Sequence, residues 1–300
     1  MNEKLLNETA KAMVAPGKGI LAADESTGTI EKRFTSIKVE NVEANRQTYR
    51  DMLFTTAGFE QYTSGVILFE ETLFQKALDG TPFPQLLAAK GVIPGIKVDK
   101  GAKDLPGAPG ETITEGLDGL RERLVKYREA GARFAKWRGV ITIGGGIPSD
   151  YCIHTNAHAL ARYAAYCQEA GIVPIVEPEV LMDADNTLEV CEAVTSRTLS
   201  AVFIELEKQK VLLEGMILKP NMVISGKKCP LQADRKTVAA ATLRTLKRHV
   251  PGAVPGIAFL SGGQSDEDAT AHLDEMNKMG PNPWALTFSY GRALQAAALK

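Results

Sequence analysis

The chain has 300 residues, 44% of them hydrophobic and 24% charged, which is enough apolar material for a large core. Its 35 basic and 36 acidic residues leave a net charge of -1, so nothing points to nucleic acid or a membrane surface as a partner, and any anion has to be bound by selected side chains. Cys152, Cys167, Cys191 and Cys229 are scattered without a CxxC, as expected of free thiols in a reducing cytoplasm.

Met1 to Lys11 reads as a polar helix and not as a signal peptide. Eight short apolar runs follow, each ending on a charged or hydroxyl residue. The first is Ile20-Leu21-Ala22-Ala23-Asp24, continued by Glu25 and Ser26. Asn41 to Thr55 has helical spacing, with Val42, Tyr49, Met52 and Leu53 on its apolar face. Val66-Ile67-Leu68-Phe69-Glu70 is the second run, and Ile96-Lys97-Val98-Asp99 the third, with Lys97 and Asp99 on one strand face. Gly101 to Gly110, rich in Gly and Pro, reads as a surface loop. A helix over Leu117 to Glu129, stopped by Gly131, leads to Phe134-Ala135-Lys136-Trp137-Arg138. Alternation there puts Lys136 and Arg138 on one face and Trp137 on the other.

Gly144-Gly145-Gly146 reads as a flexible loop, and Ala157 to Ala170 as a helix stopped by Gly171. His154 and His158, four apart, are read as solvent-facing polar positions and not as metal ligands. Val173-Pro174-Ile175-Val176-Glu177 continues to Pro178-Glu179, which places two carboxylates on one face. After a long helix from Thr187 to Lys208 comes Met216-Ile217-Leu218-Lys219-Pro220. Pro220 cannot donate to a ladder, so the strand ends there and leaves Lys219 at an apolar strand end. Ile257-Ala258-Phe259-Leu260-Ser261 runs into Gly262 and Gly263. Ser265 then caps a helix whose first turn holds three acids, Asp266, Glu267 and Asp268. The last run, Leu286-Thr287-Phe288-Ser289, is followed by Tyr290, Gly291 and Arg292.

Eight strand-helix units with polar residues at nearly every strand end predict a (β/α)₈ TIM barrel, one domain over residues 1–300 with an N-terminal helical extension. An open doubly wound sheet uses the same units and is the alternative. In a barrel these polar ends share one mouth. Three lysines and several acids there are costly to desolvate as mere structure. A lysine beside another ammonium in a partly apolar pocket loses its proton more readily and can attack a carbonyl to form a Schiff base. Lys219 is the candidate nucleophile, Lys136 the neighbouring cation, and Glu177, Glu179 and Asp24 candidates for proton transfer. The glycines after Ser261 and Ser289, with Arg292, suit a phosphate held by backbone N–H groups and a bidentate cation. Lys97, Arg138 and Arg33 remain for a second anionic group across the mouth.

The stretches GKGILAADESTGTIEKRF, GVILFEETLFQK, GIKVDKG, FAKWR, GIVPIVEPEV, LLEGMILKPNMV, GIAFLSGGQS and NPWALTFSYGRALQ resemble class I fructose-bisphosphate aldolase from about Leu5 onward. The resemblance implies a cytoplasmic homotetrameric barrel that needs no cofactor or metal. It implies cleavage of fructose 1,6-bisphosphate to dihydroxyacetone phosphate and glyceraldehyde 3-phosphate, in glycolysis and gluconeogenesis. Lys219 resembles the family's Schiff-base lysine and Glu177 its acid/base, with Asp24, Lys136 and Glu179 as supporting charges. Ser261, Gly262, Gly263, Ser289, Gly291 and Arg292 match the site of the first phosphate. Ser26, Lys97 and Arg138 match the far-phosphate side, and Arg33 and Arg46 match further substrate-contacting arginines. Thr29 stands where many members carry serine, its hydroxyl still available. Members of the family run further, so their C-terminal tail is expected to be absent from these 300 residues. Two rival readings are a Schiff-base lyase for a singly phosphorylated substrate and a sugar-phosphate-binding scaffold without turnover. The first would waste one phosphate cluster, and the second would have no need of both Lys219 and Glu177.

Overall fold

The computed structural model describes residues 2–299, so Met1 and Lys300, the outer ends of the predicted domain, lie outside the described residues. Helix α1 (Glu3–Met13) precedes strand β1 (Gly19–Ala23), and α2 (Thr27–Ser36) and α3 (Glu43–Thr55) lead to β2 (Thr63–Leu68). Short helices α4 (Glu70–Phe74) and α5 (Phe83–Ala89) lead to β3 (Ile93–Lys97), which runs on into an antiparallel hairpin of β4 (Ala102–Asp104) and β5 (Thr112–Thr114). The alternation then becomes regular: α6 (Leu120–Glu129), β6 (Phe134–Ile141), α7 (Asp150–Glu169), β7 (Val173–Val180) and α8 (Leu188–Lys208). It finishes with β8 (Ile217–Leu218), α9 (Arg235–His249), β9 (Gly256–Phe259), α10 (Asp266–Lys278), β10 (Ala285–Tyr290) and α11 (Arg292–Gln295).

The strands close a barrel in the order β1-β10-β9-β8-β7-β6-β3-β2. Closure is made by β1 against β10, with Ile20 opposite Ser289, and this pairing rules out the open sheet. Inside the barrel, Ile20, Ala22, Ile67, Phe134, Val173, Ile175, Ile217 and Ala258 form one apolar cluster. Leu6, Ala10 and Met13 of α1 complete it, so their helical spacing stoppers the N-terminal end of the barrel. Ser64 at the start of β2 donates to the Met13 carbonyl at 2.6 Å and fixes the stopper in place. The C-terminal ends of the strands are left open for chemistry.

Aromatic rings fill the barrel wall where glycines leave room. A Cβ on Gly95 would lie 2.3 Å from the Phe134 ring, and one on Gly19 would lie 2.3 Å from Phe288. The Ser265 cap read from the sequence is present, its side chain accepting from Asp268 N, and the Thr187 side chain likewise accepts from Val190 N. Three expectations need correction. Helix α7 begins at Asp150, not Ala157, because Ser149 caps it by accepting from Cys152 N. On α3, Val42 and Met52 are exposed while Tyr49, Arg50 and Phe54 are buried. The stretch from Gly101 to Gly110 is partly strand, with Gly107 and Gly110 in the turn of the β4–β5 hairpin.

Candidate active site

Four charged side chains converge at the open end from different strands. Lys219 follows β8 directly, its N–H bonded to the Val176 carbonyl at 2.8 Å, and its side chain is almost fully buried. Its Nζ stands 3.2 Å from Glu177 Oε1, and the other carboxylate oxygen of Glu177 stands 3.3 Å from Lys136 Nζ. Lys136 also pairs with Asp24 Oδ2 at 2.9 Å. The row is therefore Lys219, Glu177, Lys136, Asp24, with charges alternating. Burial alone would raise the Asp24 carboxyl, but the attraction of Lys136 and Lys219 outweighs it and holds the pKa at about 2. Burial likewise opposes the charge on Lys136, and Asp24 and Glu177 more than reverse that, keeping the ammonium well above the ordinary lysine range. Lys136 is thus a fixed cation, but not a bare neighbour of Lys219 as the sequence suggested, because Glu177 stands between the two amines. Glu177 Oε2 is buried with no hydrogen bond beyond its ion pair, which leaves an acceptor for a substrate hydroxyl.

Two residues further along the same strands, Arg138 Nε donates to Glu179 Oε2. Glu179 neutralises Arg138 much as Glu177 neutralises Lys136, and both pairs are diagonal: the β6–β7 register sets Ile175 opposite Lys136 and Glu177 opposite Arg138. Lys97 is gripped by Asp99 at 2.6 Å. Lys97, Arg138, Ser26 and Thr29 line one cleft of about 370 Å³ together with Glu70 and Lys100. The Ser26 and Thr29 hydroxyls lie 3.1 Å apart at the start of α2. This gathers Lys97, Arg138 and two hydroxyls from three strand ends into one cleft, with Lys100 as a third cation and Asp99 and Glu70 as its acids.

A second group lies after β9 and β10. Ser261, Gly262 and Gly263 form the turn after β9. A Cβ on Gly262 would sit 2.8 Å from Glu179 Oε1, and Gly263, at φ +81° with no room beside Met182, demands glycine. Ser289 is buried and its Oγ has no partner among the described residues, while a Cβ on Gly291 would lie 3.2 Å from the Ala22 carbonyl across the barrel seam. Arg292 donates to the Gln264 carbonyl at 2.7 Å and lies 3.4 Å from Asp266.

Arg33 belongs with this second group and not, as expected, with Lys97 and Arg138. It lines a cavity of about 630 Å³ with Arg292, and Glu25 (2.6 Å) and Gln295 (2.9 Å) hold it there. Glu25 is buried and also pairs with the fully buried Arg50 at 2.7 Å, while Tyr49 donates to Gln295 at 2.8 Å. Sequence reading missed this five-residue support, because Glu25 and Gln295 meet only through closure of the barrel. Arg46 joins neither group: its guanidinium forks onto Glu71 at 2.8 and 2.7 Å and reaches Asn41. His154 and His158 both face the buried Glu205, His158 at 2.9 Å, and Lys208 completes that cluster on the outer helices.

The arrangement can hold a dianion at each of two places and present an amine, a shared carboxylate and a fixed ammonium to whatever lies between them. A family model described as "Glycolytic: Fructose-bisphosphate aldolase class-I" matches residues 5–300. A relative from Xanthomonas axonopodis pv. citri (strain 306), "Probable fructose-bisphosphate aldolase class 1", is 60% identical over 300 residues, covering 100% of this chain and 90% of the relative. "Fructose-bisphosphate aldolase 5, cytosolic" from Arabidopsis thaliana is 59% identical over 296 residues, 98% of this chain and 82% of its own. Among solved structures, fructose-bisphosphate aldolase from Plasmodium falciparum, in complex with TRAP and a small-molecule inhibitor, superposes with a TM-score of 0.97 at 55% identity. That match covers 99% of this chain and 86% of the other.

Proposed function

The chain belongs to the class I fructose-bisphosphate aldolase family, and from that membership we propose how the groups at the barrel mouth divide the work. The reaction is the reversible, metal-independent cleavage of fructose 1,6-bisphosphate to dihydroxyacetone phosphate and glyceraldehyde 3-phosphate, a step of glycolysis. Lys219 Nζ attacks the C2 carbonyl of the ketose once its proton has passed to a neighbouring base, and Glu177 at 3.2 Å is that base. The carbinolamine then loses its hydroxyl as water, taking a proton from Glu177, and an iminium remains. Glu177, now a carboxylate, removes the proton of the C4 hydroxyl. The C3–C4 electron pair flows into the iminium, releasing the aldehyde and leaving an enamine. Protonation at C3 and hydrolysis then return the free amine and dihydroxyacetone phosphate. Lys136, kept charged by Asp24, stabilises the carboxylate form of Glu177 and developing negative charge on oxygen.

The phosphate beside the carbonyl is assigned to Ser261, Gly262, Gly263, Ser289, Gly291 and Arg292, with Arg33. The far phosphate is assigned to Ser26, Thr29, Lys97 and Arg138. Arg46 is left out, because Glu71 and Asn41 already take its donors. A single observation carries the reading: one carboxylate, Glu177, lies within 3.3 Å of both interior lysines. The test is borohydride reduction in the presence of dihydroxyacetone phosphate, followed by peptide mass mapping. A reduced three-carbon phosphate adduct on Lys219, absent from Lys219→Ala, is the expected result; an adduct on Lys136 reverses the roles of the two lysines.

Two coarser assignments belong to the same reading. Relatives named cytosolic, and the absence among the described residues of any helix long and apolar enough to cross a membrane, support a cytoplasmic protein. Assembly as a homotetramer follows from family membership, and sedimentation equilibrium tests it. The C-terminal tail expected to be absent enters none of these assignments.

A further inference from the structure

The turn after β9 lies close to Met182 and Ile224, which an added Cβ on Gly263 would meet. Beside it, between α9 and α10, lies a cavity of about 650 Å³, lined among others by Ile224, Arg235, Gly263, Gln264 and His272. One hydrogen bond tethers the turn to the cavity wall: His272 Nδ1 lies 2.7 Å from Gln264 Oε1. His272 is 6% exposed and sits on the buried side of α10 with Ala269, Leu273 and Met276. Burial lowers its pKa below the ordinary histidine range. The opposing charges facing it, Asp268 on its own helix and Arg235 on α9, are paired with each other at 2.9 Å. A neutral imidazole facing a carbonyl oxygen carries its proton on Nδ1, so His272 donates and Gln264 accepts.

Gln264 then passes this anchorage on in two directions. Its N–H closes the turn onto the Ser261 carbonyl at 3.2 Å, framing Gly262 and Gly263. Its own carbonyl accepts from Arg292 at 2.7 Å. One side chain is therefore connected to both halves of the phosphate grip, the backbone turn and the arginine. We propose that His272 is a positioning residue for the aldolase reaction: through Gln264 it holds the Ser261–Gly263 turn and Arg292 in the arrangement that receives the phosphate next to the carbonyl. This rests on the assignment of those residues to that phosphate.

The experiment uses His272→Leu, which keeps apolar bulk and removes the donor, and His272→Asn, which keeps a donor near the position of Nδ1. Gln264→Leu cuts the same tether from its other end. The readouts are kcat and KM for fructose 1,6-bisphosphate and the inhibition constant of inorganic phosphate. Loss of one hydrogen bond is expected to raise KM and the phosphate constant by roughly three- to tenfold in His272→Leu. An effect on positioning leaves kcat within about twofold. Gln264→Leu should match it, and His272→Asn should recover most of the loss. Arg292→Ala is measured alongside. If Arg292→Ala raises KM while His272→Leu does not, or if His272→Asn recovers nothing, the tether is overturned. If Arg292→Ala also leaves KM and the phosphate constant unchanged, the phosphate assignment itself fails.

Discussion

Lys136 has two acidic partners, and only one of them can take part in proton transfer. Glu177 faces both lysines, whereas Asp24 is held ionised at about 2 and serves as a permanent counter-charge. Its depressed pKa sets a sign. An aspartate shifted below its ordinary 3.8 contributes stability that is complete above about pH 4 and is lost as pH falls toward the folded value of about 2. Asp24→Asn removes that contribution and leaves Lys136 leaning on Glu177 alone, a change that for a buried pair costs about 3 kcal/mol at neutral pH. The denaturation midpoint of Asp24→Asn should therefore lie well below that of the unaltered chain at neutral pH, and the gap should narrow below about pH 4. Urea unfolding at several pH values measures it; a gap that does not change with pH sinks this account of Asp24.

At the level of elements, the wall of the barrel depends on glycines that make room for rings. Gly95 on β3 faces Phe134 at the start of β6, and the added Cβ of Gly95→Ala would sit 2.3 Å from the ring. With the ring held by its neighbours in the interior cluster, overpacking of this kind costs about 1–3 kcal/mol. Phe134→Leu in the same chain should restore part of the loss, because the smaller side chain vacates the contested space. Thermal unfolding of the single and double variants is the check, and additive losses would mean that the two positions do not compete. The strands and their polar ends were legible because each apolar run stops at a chemically odd residue; Pro220 alone marks where β8 ends. The helix over Thr187 to Lys208 was legible from the helical spacing of Leu188, Cys191, Val194, Leu199 and Val202, all buried on one face. Other features depend on pairings that no local pattern encodes. Arg50 is charged yet buried because Glu25 meets it, and Arg33 turns toward Arg292 because Glu25 and Gln295, 270 residues apart, are joined by a hydrogen bond. Arg46, by contrast, looked available only because nothing in the sequence shows Glu71 beside it.

On the scale of the whole molecule, the two proposed anion sites are carried by different parts of the barrel: the ends of β1, β3 and β6 on one side and those of β9 and β10 on the other, with Arg33 of α2 reaching the second. Lys97→Ala should lower kcat/KM for fructose 1,6-bisphosphate by about tenfold or more, since it removes a charged donor, while fructose 1-phosphate, with no far phosphate, loses little. The preference between the two sugars then shrinks; equal losses on both would place Lys97 outside the far cleft. The closure of β1 against β10 bears on the life of the chain before it is complete. Synthesis delivers β1 long before its partner Ala285–Tyr290, so on the ribosome β1 waits with one edge unpaired and Gly19 without the Phe288 ring it accommodates. Such a topology is slow to complete and exposed to wrong partners meanwhile. Ser289 and Arg292 arrive on or just after that final strand. A nascent chain therefore carries Lys219, Arg33 and the residues assigned to the far phosphate well before it has Ser289 and Arg292, so the grip assigned to the phosphate beside the carbonyl stays incomplete until the barrel has sealed.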